Sequence, residues 1–406
     1  MHVIFVAPEF PANQREFVRV LRDVGAYVTG IGERPLEALD EQLKSWLGAY
    51  EQVRSVCDVD QMIQTVQRIQ ARGWVDRLEA TIESHILPAA RVREATKIPG
   101  TSVETALLCR DKPLMKAHLR KHGIPCARST GANSGDEVRA FADEVGYPII
   151  LKPRAGAGAE ATIRVDDDET LARALLEMAV SAGKSIAVEE FVEGHEGFYD
   201  TLTVGGEVVH EFVSHYFPNV LEAMRTRWIS PQIVVTNRLS MPDYDEVKAL
   251  GRRVVEAMGL QTSATHMEWF FGPKGLRFSE IGARPPGVRQ WDLYNAANDM
   301  DVYRDWAHAI AFGSTQQTPS RRYSSGLVAL RPDRDGRISH YDGVDAVVAH
   351  LGDWLIDLHL PEPGTPTQPV EAGYMANAWV RVKHPDFDTL RSLLDFVGQT
   401  LKVRAR

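Results

Sequence analysis

The first hundred residues alternate between short apolar runs and amphipathic segments, and this alternation restricts the fold more than any other feature of the sequence. The apolar run HVIFVA (2–7) is followed by the amphipathic stretch REFVRVLRDVG (15–25), and a second apolar run, AYVTGIG, occupies 26–32. Strand, helix and strand in this order indicate a parallel sheet, because each crossover between parallel strands uses a helix. The loop after the first run, APEFPANQ, contains no GxGxxG, so this α/β unit need not bind a dinucleotide.

Size and composition narrow the class of protein. The chain has 406 residues, enough for roughly two or three domains, and is 44% hydrophobic and 25% charged, as is ordinary for a globular protein. The net charge of −9 argues against nucleic acid as the main partner. The start of the chain lacks the features of a signal peptide, and no apolar run approaches the length of a membrane span. Three widely spaced cysteines, Cys57, Cys109 and Cys126, indicate a reducing compartment, so we expect a cytoplasmic protein without membrane contact.

The segment KPRAGAGAEAT (152–162) has the composition of an anion-binding loop. Gly156 and Gly158 free the backbone to present N–H groups to an anion. Lys152, at the end of the predicted strand YPIILKP, can pair with a phosphate oxygen. A flexible hairpin turn is the alternative explanation of the same residues.

Lys112 is predicted to lie at the start of a helix, where a cation opposes the helix dipole. Asp111 is expected to cap this helix, and Pro113 suits its first turn. An unfavourable position for a lysine indicates an anionic ligand. The alternative is a solvated side chain.

Several glutamates crowd the otherwise apolar stretch AVEEFVEGHEGF. They are Glu189, Glu190, Glu193 and Glu196. One interpretation is an exposed, charged strand. The other is a hinge between domains, in which the backbone around Glu190 and Val192 pairs with an adenine edge and Glu196 accepts from ribose hydroxyls.

Glu268 and Glu280 lie on two predicted strands joined by GPKG. A symmetric loop would pair Glu268 with Ser279, whereas a three- or five-residue loop, or a bulge at Gly275, would set Glu268 opposite Glu280. Carboxylates so placed repel each other unless a cation lies between them, and hard oxygen ligands suit Mg²⁺. We therefore predict the register that sets the two acids opposite each other. His266 shares a face with Glu268 and is either a hydrogen-bonded strand histidine or a residue of the site.

The stretch FSEIGARPPG (278–287) places an acid and a base four residues apart. Glu280 and Arg284 have the spacing of a helical ion pair. Pro285 and Pro286 argue against a helix, because proline cannot continue one. A strand end and a loop must then hold the two groups, and active-site residues commonly occupy such positions.

Taken in order, these features resemble the ATP-grasp superfamily. The matches are the RDKxxM-type helix start, the strand–lysine–glycine loop, VEEFVEGHE, and the HME and SEIGARPPG strands. The stretch DRLEATIESHILPAARVREATKIPGTSVETALLCRDK is similar to what precedes these motifs in carboxylate–amine ligases. The resemblance implies an α/β fold with an α+β nucleotide clamp and an N-terminal Rossmann-like domain at 1–108. It implies an ATP-grasp region at 109–318, with the clamp and lid in 109–192 and a central sheet bearing the metal site in 193–318, and a C-terminal part, 319–406, that completes the central domain.

The resemblance also assigns roles to individual residues. It implies that ATP is bound at its phosphates by Lys112 and Lys152 and covered by a flexible lid that contains Gly156 and Gly158. The adenine would be held by Glu189, Glu190 and Val192, and the ribose by Glu196. Glu268 and Glu280 would bind Mg²⁺, with Mn²⁺ as an alternative, and Arg284 would face the reacting carboxylate and its acyl phosphate. Many members have an asparagine two residues after the second glutamate, as a further metal ligand. This chain has Gly282 there, which removes one metal ligand or passes its place to water.

The function implied by the resemblance is an ATP-dependent ligase that joins a carboxylate to an amine, with amino acids as substrates. Glu83 matches the position at which such enzymes hold a substrate amino group, and a surface acid is the alternative. Trp291 either shapes the acceptor pocket or packs in the core. Small-molecule substrates are the expected partners, and a homodimer is a further expectation because dimers are common in the family. The alternatives are a carboxylase-type or purine-pathway enzyme and a nucleotide-binding scaffold without turnover.

Overall fold

The computed structural model describes residues 1–156, 161–180, 184–370 and 377–406. Gly158, predicted to lie in a nucleotide-binding loop, is outside the described residues. Among the helices of these ranges, none combines the length and the apolarity that crossing a membrane requires.

The N-terminal part is a four-stranded parallel sheet, as the alternation of strand and helix signals predicted. Its strands and helices follow one another as β1 (His2–Val6), α1 (Gln14–Asp23), β2 (Tyr27–Gly32), α2 (Glu41–Trp46), β3 (Ala49–Gln52), α3 (Val59–Gln70), β4 (Arg77–Glu79), α4 (Glu83–Thr96) and α5 (Val103–Leu108). The strand order is β3-β2-β1-β4. The direction of winding therefore reverses between β1 and β4, and ligands of open α/β sheets bind outside the carboxyl ends of the strands at such a point. Glu83 follows β4 at this edge.

A smaller antiparallel sheet, with the strand order β5-β8-β6-β7, comes next. Its elements are α6 (Lys112–Lys121), β5 (Ser129–Ala132), α7 (Gly135–Val145), β6 (Ile149–Pro153), β7 (Ile163–Val165), α8 (Asp168–Glu177) and β8 (Ile186–Glu190). It has a hydrophobic core of its own, which includes Val138, Leu151 and Val188. A separate core allows this unit to keep its structure independently of its neighbours.

The remainder of the chain builds an eight-stranded sheet and a small two-stranded one. The elements are β9 (His195–Val204), β10 (Glu207–Phe217), α9 (Val220–Ala223), β11 (Gln232–Val235), α10 (Asp245–Ala257), β12 (Ser263–Gly272), β13 (Gly275–Gly282), α11 (Gln290–Asn298), α12 (Val302–Phe312), β14 (Ser324–Leu330), β15 (Ile338–Asp342), α13 (Val344–Leu351), β16 (Leu355–His359), β17 (Ala378–His384), α14 (Phe387–Thr400) and β18 (Lys402–Ala405). The order in the large sheet is β13-β12-β9-β10-β11-β14-β17-β16, and β15 pairs with β18. Strands from the last eighty residues thus extend the sheet that holds β12 and β13.

One hydrophobic core joins the N-terminal sheet to the β12–β13 hairpin. Ile4 and Leu78 of the parallel sheet belong to the same cluster of buried side chains as Met267 and Ile281 of the hairpin. Since side chains alternate across a strand, this packing leaves the opposite face of the hairpin for polar side chains. The same core brings the carboxyl edge of the parallel sheet next to the end of β13.

His195, the first residue of β9, contacts the buried His215. His195 Nε2 lies 2.9 Å from His215 Nδ1, and His215 Nε2 lies 3.0 Å from the hydroxyl of Tyr244. Burial, followed by the neighbouring His195 and Arg391, lowers the pKa of His215 to about 3. The His215 ring is therefore neutral at pH 7.

We expect the free energy of unfolding to decrease as the pH falls from 6.5 toward 3, because an unfolded histidine takes up a proton near pH 6.5 and folded His215 only near pH 3. The unfolded state binds more protons across this window, so stability falls by up to about 1.4 kcal/mol per pH unit. Urea unfolding at a series of pH values measures the slope. In His215→Gln the slope should be shallower, and the same slope in both proteins would contradict the expectation.

Candidate active site

A cavity of about 440 Å³ lies between the small antiparallel sheet and the large sheet. Small-molecule sites commonly have volumes of roughly 300–1,000 Å³. The apolar side chains of its wall are Ala127, Ile150, Phe191, Leu221, Phe270 and Phe278. The charged side chains that line it are Lys112, Lys116, Lys152, Arg164, Arg225, Glu189, Glu190, Glu196, Glu222, Glu268 and Glu280. An apolar slot beside a cluster of fixed charges suits a ligand with one aromatic and one anionic part.

The two strand carboxylates lie opposite each other, as predicted. Glu268 pairs with Glu280 in the β12–β13 hairpin. The cause of this register is not the one predicted, which was a loop of three or five residues or a bulge at Gly275. The turn is symmetric, since Gly272 pairs with Gly275, and the register shifts at Ser279 instead. A bulge inserts one extra residue into one strand, and here that residue moves Glu280 into line with Glu268.

Carboxyl groups outnumber cationic side chains in the lining of the cleft, by six to five. Burial alone would raise the pKa of Glu280, but Lys112 and Lys152 lower it to about 2. Glu280 is therefore ionised at neutral pH, with Lys112 Nζ 3.3 Å from its Oε2. The excess negative charge favours a bound cation.

The pKa of Glu196, at the start of β9, reflects the negative charges of its neighbours in the cleft. Its side chain is buried, and Oε2 accepts a hydrogen bond of 2.7 Å from the backbone N–H of Val220. Burial and then the charges of Glu268 and Glu280 raise the pKa of Glu196 to about 8. A cation at the two strand glutamates would lower that pKa and return Glu196 to its ionised form.

Lys116 is a residue of the cleft that sequence reasoning missed. Its side chain is 1% exposed, and its Nζ lies 2.6 Å from Glu189 Oε2, which is also 2.8 Å from Lys152 Nζ. Burial lowers the pKa of Lys116 to about 8, although Glu189 acts in the opposite direction. Lys116 follows Lys112 by four residues and so shares its helix face, which was the available signal. Nothing in the pattern separated a buried lysine from a solvated one at that position.

Glu189 has a different setting from the one expected at an adenine edge. Burial would raise its pKa, but Lys116 and Lys152 hold the pKa below its usual value. Its carboxylate therefore stays ionised and holds two buried ammonium groups together.

Lys112 lies at the start of α6 and contacts both sides of the cleft. Its Nζ donates to Gly156 O at 2.9 Å in addition to its contact with Glu280, so it is not the solvated lysine of the alternative interpretation. Asp111 caps the helix as predicted, since its Oδ1 accepts from the backbone N–H of Leu114. Both oxygens of Asp111 also accept from Arg154, at 2.9 and 3.0 Å. Asp111 thus ties the start of α6 to the segment that follows β6.

Asp111→Ala is expected to lower the free energy of unfolding by about 1–2 kcal/mol, because α6 loses its N-cap and Arg154 its ion-pair partner. Asp111→Asn keeps the capping oxygen and removes only the charge, so its loss should be smaller. Denaturant unfolding of both variants measures the difference. Equal stabilities for the alanine variant and the parent chain would refute the assigned cap.

The residues predicted to form a hinge, Glu190 and Val192, lie at the end of β8 and in the segment that follows it. The Glu190 carboxylate accepts from the backbone N–H of Arg128 at 3.0 Å and pairs with Lys274 Nζ at 2.9 Å. Val192 lines the cleft, and within the described ranges neither its N–H nor its C=O has a hydrogen-bond partner. The backbone of Val192 is therefore open to an edge of a planar ligand.

Arg284 lies in the loop after β13, as the two prolines that follow it predicted, and it does not pair with Glu280. Its Nε donates to Glu83 Oε2 at 2.7 Å, and its Nη1 donates to Pro285 O at 2.8 Å. Glu83 Oε1 also accepts from Arg110 Nη1 at 3.1 Å. Glu83 is therefore not a plain surface acid, because it connects two arginines from different parts of the chain.

His266 belongs to a buried chain of hydrogen bonds behind the metal-site candidate. The hydroxyl of Tyr294 bonds to Asp200, whose Oδ1 lies 2.7 Å from His266 Nδ1. His266 Nε2 lies 3.6 Å from Glu268 Oε1. Burial would lower the pKa of His266, but Asp200 raises it to about 9. The interpretation as a hydrogen-bonded strand histidine fits the contact with Asp200.

Trp291 packs in the core. It is buried, and its ring contacts those of Phe17 and Tyr303. It does not line the cleft, so the structure supports the second of the two interpretations of this residue.

Glu268 and Glu280 have the donor chemistry of a magnesium site. Within the described part of the chain, no group of three or more His, Cys, Asp or Glu side chains is arranged to hold a metal ion. Mg²⁺ commonly takes one or two carboxylates and completes its shell with water and substrate phosphates. Two facing carboxylates in a cleft with excess negative charge therefore fit an ion that protein and ligand hold together.

Comparisons with known proteins agree with this architecture. A family model described as "Carbamoyl-phosphate synthase L chain, ATP binding domain" matches residues 111–198, which hold the small antiparallel sheet. Among solved structures, the L-amino acid ligase from Bacillus licheniformis superposes with a TM-score of 0.76 at 15% identity, and the match covers 100% of this chain and 98% of that one. The chain has the ATP-grasp fold. The fold that the sequence motifs implied is thereby confirmed.

Two curated proteins resemble this ATP-grasp chain in sequence. The L-arginine-specific L-amino acid ligase of Bacillus subtilis is 28% identical over 269 residues, which are 62% of this chain and 64% of that ligase. The uncharacterized protein y4rH of Sinorhizobium fredii (strain NBRC 101917 / NGR234) is 26% identical over 320 residues, which are 76% of this chain and 64% of that protein. The chain thus spans less than two thirds of the length of either relative.

Proposed function

We propose that the chain is an ATP-dependent ligase that activates a carboxylate as an acyl phosphate and joins it to an amine, with release of ADP and phosphate. The observation that carries the proposal is the order of groups along the site. Buried lysines come first, the facing carboxylates Glu268 and Glu280 follow, and Arg284 lies just beyond the end of their strand. This order matches the direction in which a phosphoryl group would pass from nucleotide to carboxylate.

The nucleotide end of the cleft is assigned from its contacts. The open backbone at Val192, with Glu190 beside it, would pair with the adenine edge, and Glu196 would bind the ribose. Lys112 and Lys152 would bind phosphate oxygens, and Glu189 would hold Lys116 and Lys152 in place for them. Gly156 contacts Lys112 and begins the glycine-rich loop, of which the predicted Gly158 lies outside the described residues.

Glu268 and Glu280 would hold Mg²⁺, for which Mn²⁺ is an alternative. When bound, the ion supplies positive charge to the phosphate oxygens and so favours phosphoryl transfer. His266 would keep the Glu268 carboxylate turned toward the ion, since ligands of metals are commonly oriented by hydrogen bonds from behind.

Arg284 would bind the substrate carboxylate. Its guanidinium is fixed by the hydrogen bond to Pro285 O and by Glu83. A fixed guanidinium stabilises charge on the carboxylate during phosphoryl transfer and on the tetrahedral oxyanion when the amine attacks. Exclusion of water from the cleft would protect the acyl phosphate from hydrolysis.

Amino acids are the substrate class we propose. Support comes from the printed names of two matches, an L-arginine-specific L-amino acid ligase and an L-amino acid ligase of known structure. We also propose the domain division 1–108, 109–318 and 319–406. The last part supplies strands to the sheet that carries the metal site.

Release of ADP and phosphate with a panel of amino acids, singly and in all pairs, tests the proposal. A pair that stimulates turnover should give a product whose mass equals the sum of the two amino acids less one water. Turnover with bicarbonate instead would favour a carboxylase-type enzyme. Nucleotide binding without stimulation by any pair would contradict the proposal and favour a non-catalytic scaffold.

A further inference from the structure

We propose that Glu83 occupies the carboxylate position on Arg284 in the absence of substrate, and that Arg110 is a positioning residue that keeps Glu83 paired when a substrate carboxylate displaces it. This inference rests on the proposed function, because it concerns how the substrate carboxylate reaches Arg284. Two carboxylates, that of Glu83 and that of the substrate, would compete for the guanidinium of Arg284.

The contacts of Glu83 are divided between two arginines. Its Oε2 accepts from Arg284 Nε at 2.7 Å and its Oε1 from Arg110 Nη1 at 3.1 Å. The three side chains are 18%, 14% and 22% exposed, so water screens these pairs only in part. A carboxylate that binds one arginine through two parallel hydrogen bonds is held more firmly than one that gives a single oxygen to each of two. Glu83 can therefore leave Arg284 and still keep an ionic partner.

Gly282 makes room for this arrangement. A Cβ at position 282 would lie 3.1 Å from Glu83 Oε2, which is tighter than most real contacts of a Cβ, and 3.4 Å from Arg284 Cγ. A side chain at position 282 would therefore need the Glu83 carboxylate to shift. Gly282 leaves room for that carboxylate beside Arg284.

The position of Glu83 and the charges around it stabilise its ionised form both with and without a bound substrate. It lies in the first turn of α4, where the helix dipole stabilises a carboxylate. Two guanidinium groups and one carboxylate leave one positive charge uncompensated within this group. A substrate carboxylate neutralises that charge, so exchange on Arg284 leaves no unpaired anion.

Loss of Arg110 should strengthen the hold of Glu83 on Arg284, because Glu83 then has one cationic partner instead of two. In Arg110→Gln the KM for the substrate carboxylate is expected to rise about tenfold, the lower end of what partly buried charge pairs contribute. The KM for ATP should not change. Hydroxylamine trapping of the acyl phosphate as a hydroxamate measures carboxylate activation without the acceptor amine.

A double-mutant cycle separates action through Glu83 from any other role of Arg110. If Arg110 acts through Glu83, Arg110→Gln changes the KM in the parent chain and has no effect in the Glu83→Gln background, whatever Glu83→Gln does alone. The same factor in both backgrounds would overturn the inference, and so would an unchanged KM in the single variant. Arg110→Lys, which keeps one cationic donor, should restore most of the parent KM.

Two controls complete the experiment. Arg54→Gln removes an exposed arginine that also pairs with a carboxylate, that of Asp58, and should leave the KM for the carboxylate as it is. Thermal unfolding of every variant shows whether the fold is retained. Failure of the proposed function would appear as no hydroxamate from the parent chain, whereas failure of this inference would appear only in the comparison of the variants.

Discussion

Arg284→Ala is expected to abolish turnover while ATP binding stays nearly unchanged. The substitution removes the guanidinium that would stabilise charge on the carboxylate, and the loss of one such donor commonly lowers kcat by about 100-fold or more. Glu83 keeps Arg110 as a partner, so the substitution leaves no isolated buried carboxylate. Steady-state ADP release and calorimetric titration with ATP measure the two properties separately.

Arg284→Lys serves as the matched comparison, because it keeps the charge and removes the planar fork. It should recover little activity, since lysine does not reproduce the geometry of a guanidinium. Loss of ATP binding together with turnover in Arg284→Ala would show that Arg284 supports the fold of the cleft, and would refute its assigned role.

Glu280→Gln is expected to raise the Mg²⁺ concentration needed for half-maximal turnover by at least about 10-fold, the smallest effect typical of losing a residue that merely orients a metal ligand. The variant removes one of the two facing carboxylates and leaves Lys112 without the partner that lies 3.3 Å away. Because a neutral amide is a weaker ligand for a hard cation than a carboxylate, occupancy of the site should fall. Rates measured over a series of Mg²⁺ concentrations give the shift.

Glu256→Gln provides the control for Glu280→Gln, since Glu256 is exposed on α10. Its Mg²⁺ dependence should match that of the parent chain. If Glu280→Gln also matched the parent chain, the assignment of the strand carboxylates to the metal would be wrong.

The sequence predicted the register of the β12–β13 hairpin for a physical reason. Two glutamates that face each other on paired strands repel each other unless a cation lies between them. A magnesium site therefore predicted that Glu268 and Glu280 are opposite each other. The location of the bulge was not predictable in the same way. Several one-residue irregularities produce the same register, and nothing in the motif distinguished Ser279 from Gly275.

Other parts of the site depend on contacts between distant segments. Glu83 and Arg284 are 201 residues apart in the chain, and only the shared core of the parallel sheet and the hairpin brings them together. The motif alone therefore pointed to both residues but not to their contact. Gly282, at which the resemblance implied a metal ligand, borders the Glu83 carboxylate, since a Cβ there would lie 3.1 Å from Glu83 Oε2.

Burial was the property that the sequence conveyed least well. Lys116 has the composition and spacing of a solvated helix residue, yet it is among the largest fully buried side chains. Trp291 was ambiguous between pocket and core, and the structure places it against Phe17 and Tyr303. The packing of whole helices and strands decides whether a polar or aromatic side chain faces a cleft or a core. Local sequence patterns carry no information about that packing.

The most direct test of the central claim is the fate of oxygen in the substrate carboxylate. With a carboxylate labelled by ¹⁸O on both oxygens, activation as an acyl phosphate predicts that each turnover releases phosphate containing one ¹⁸O atom, which mass spectrometry detects. Release of unlabelled phosphate during formation of the amide would contradict the account. Label in AMP would show an acyl adenylate instead, and would equally exclude the proposed chemistry.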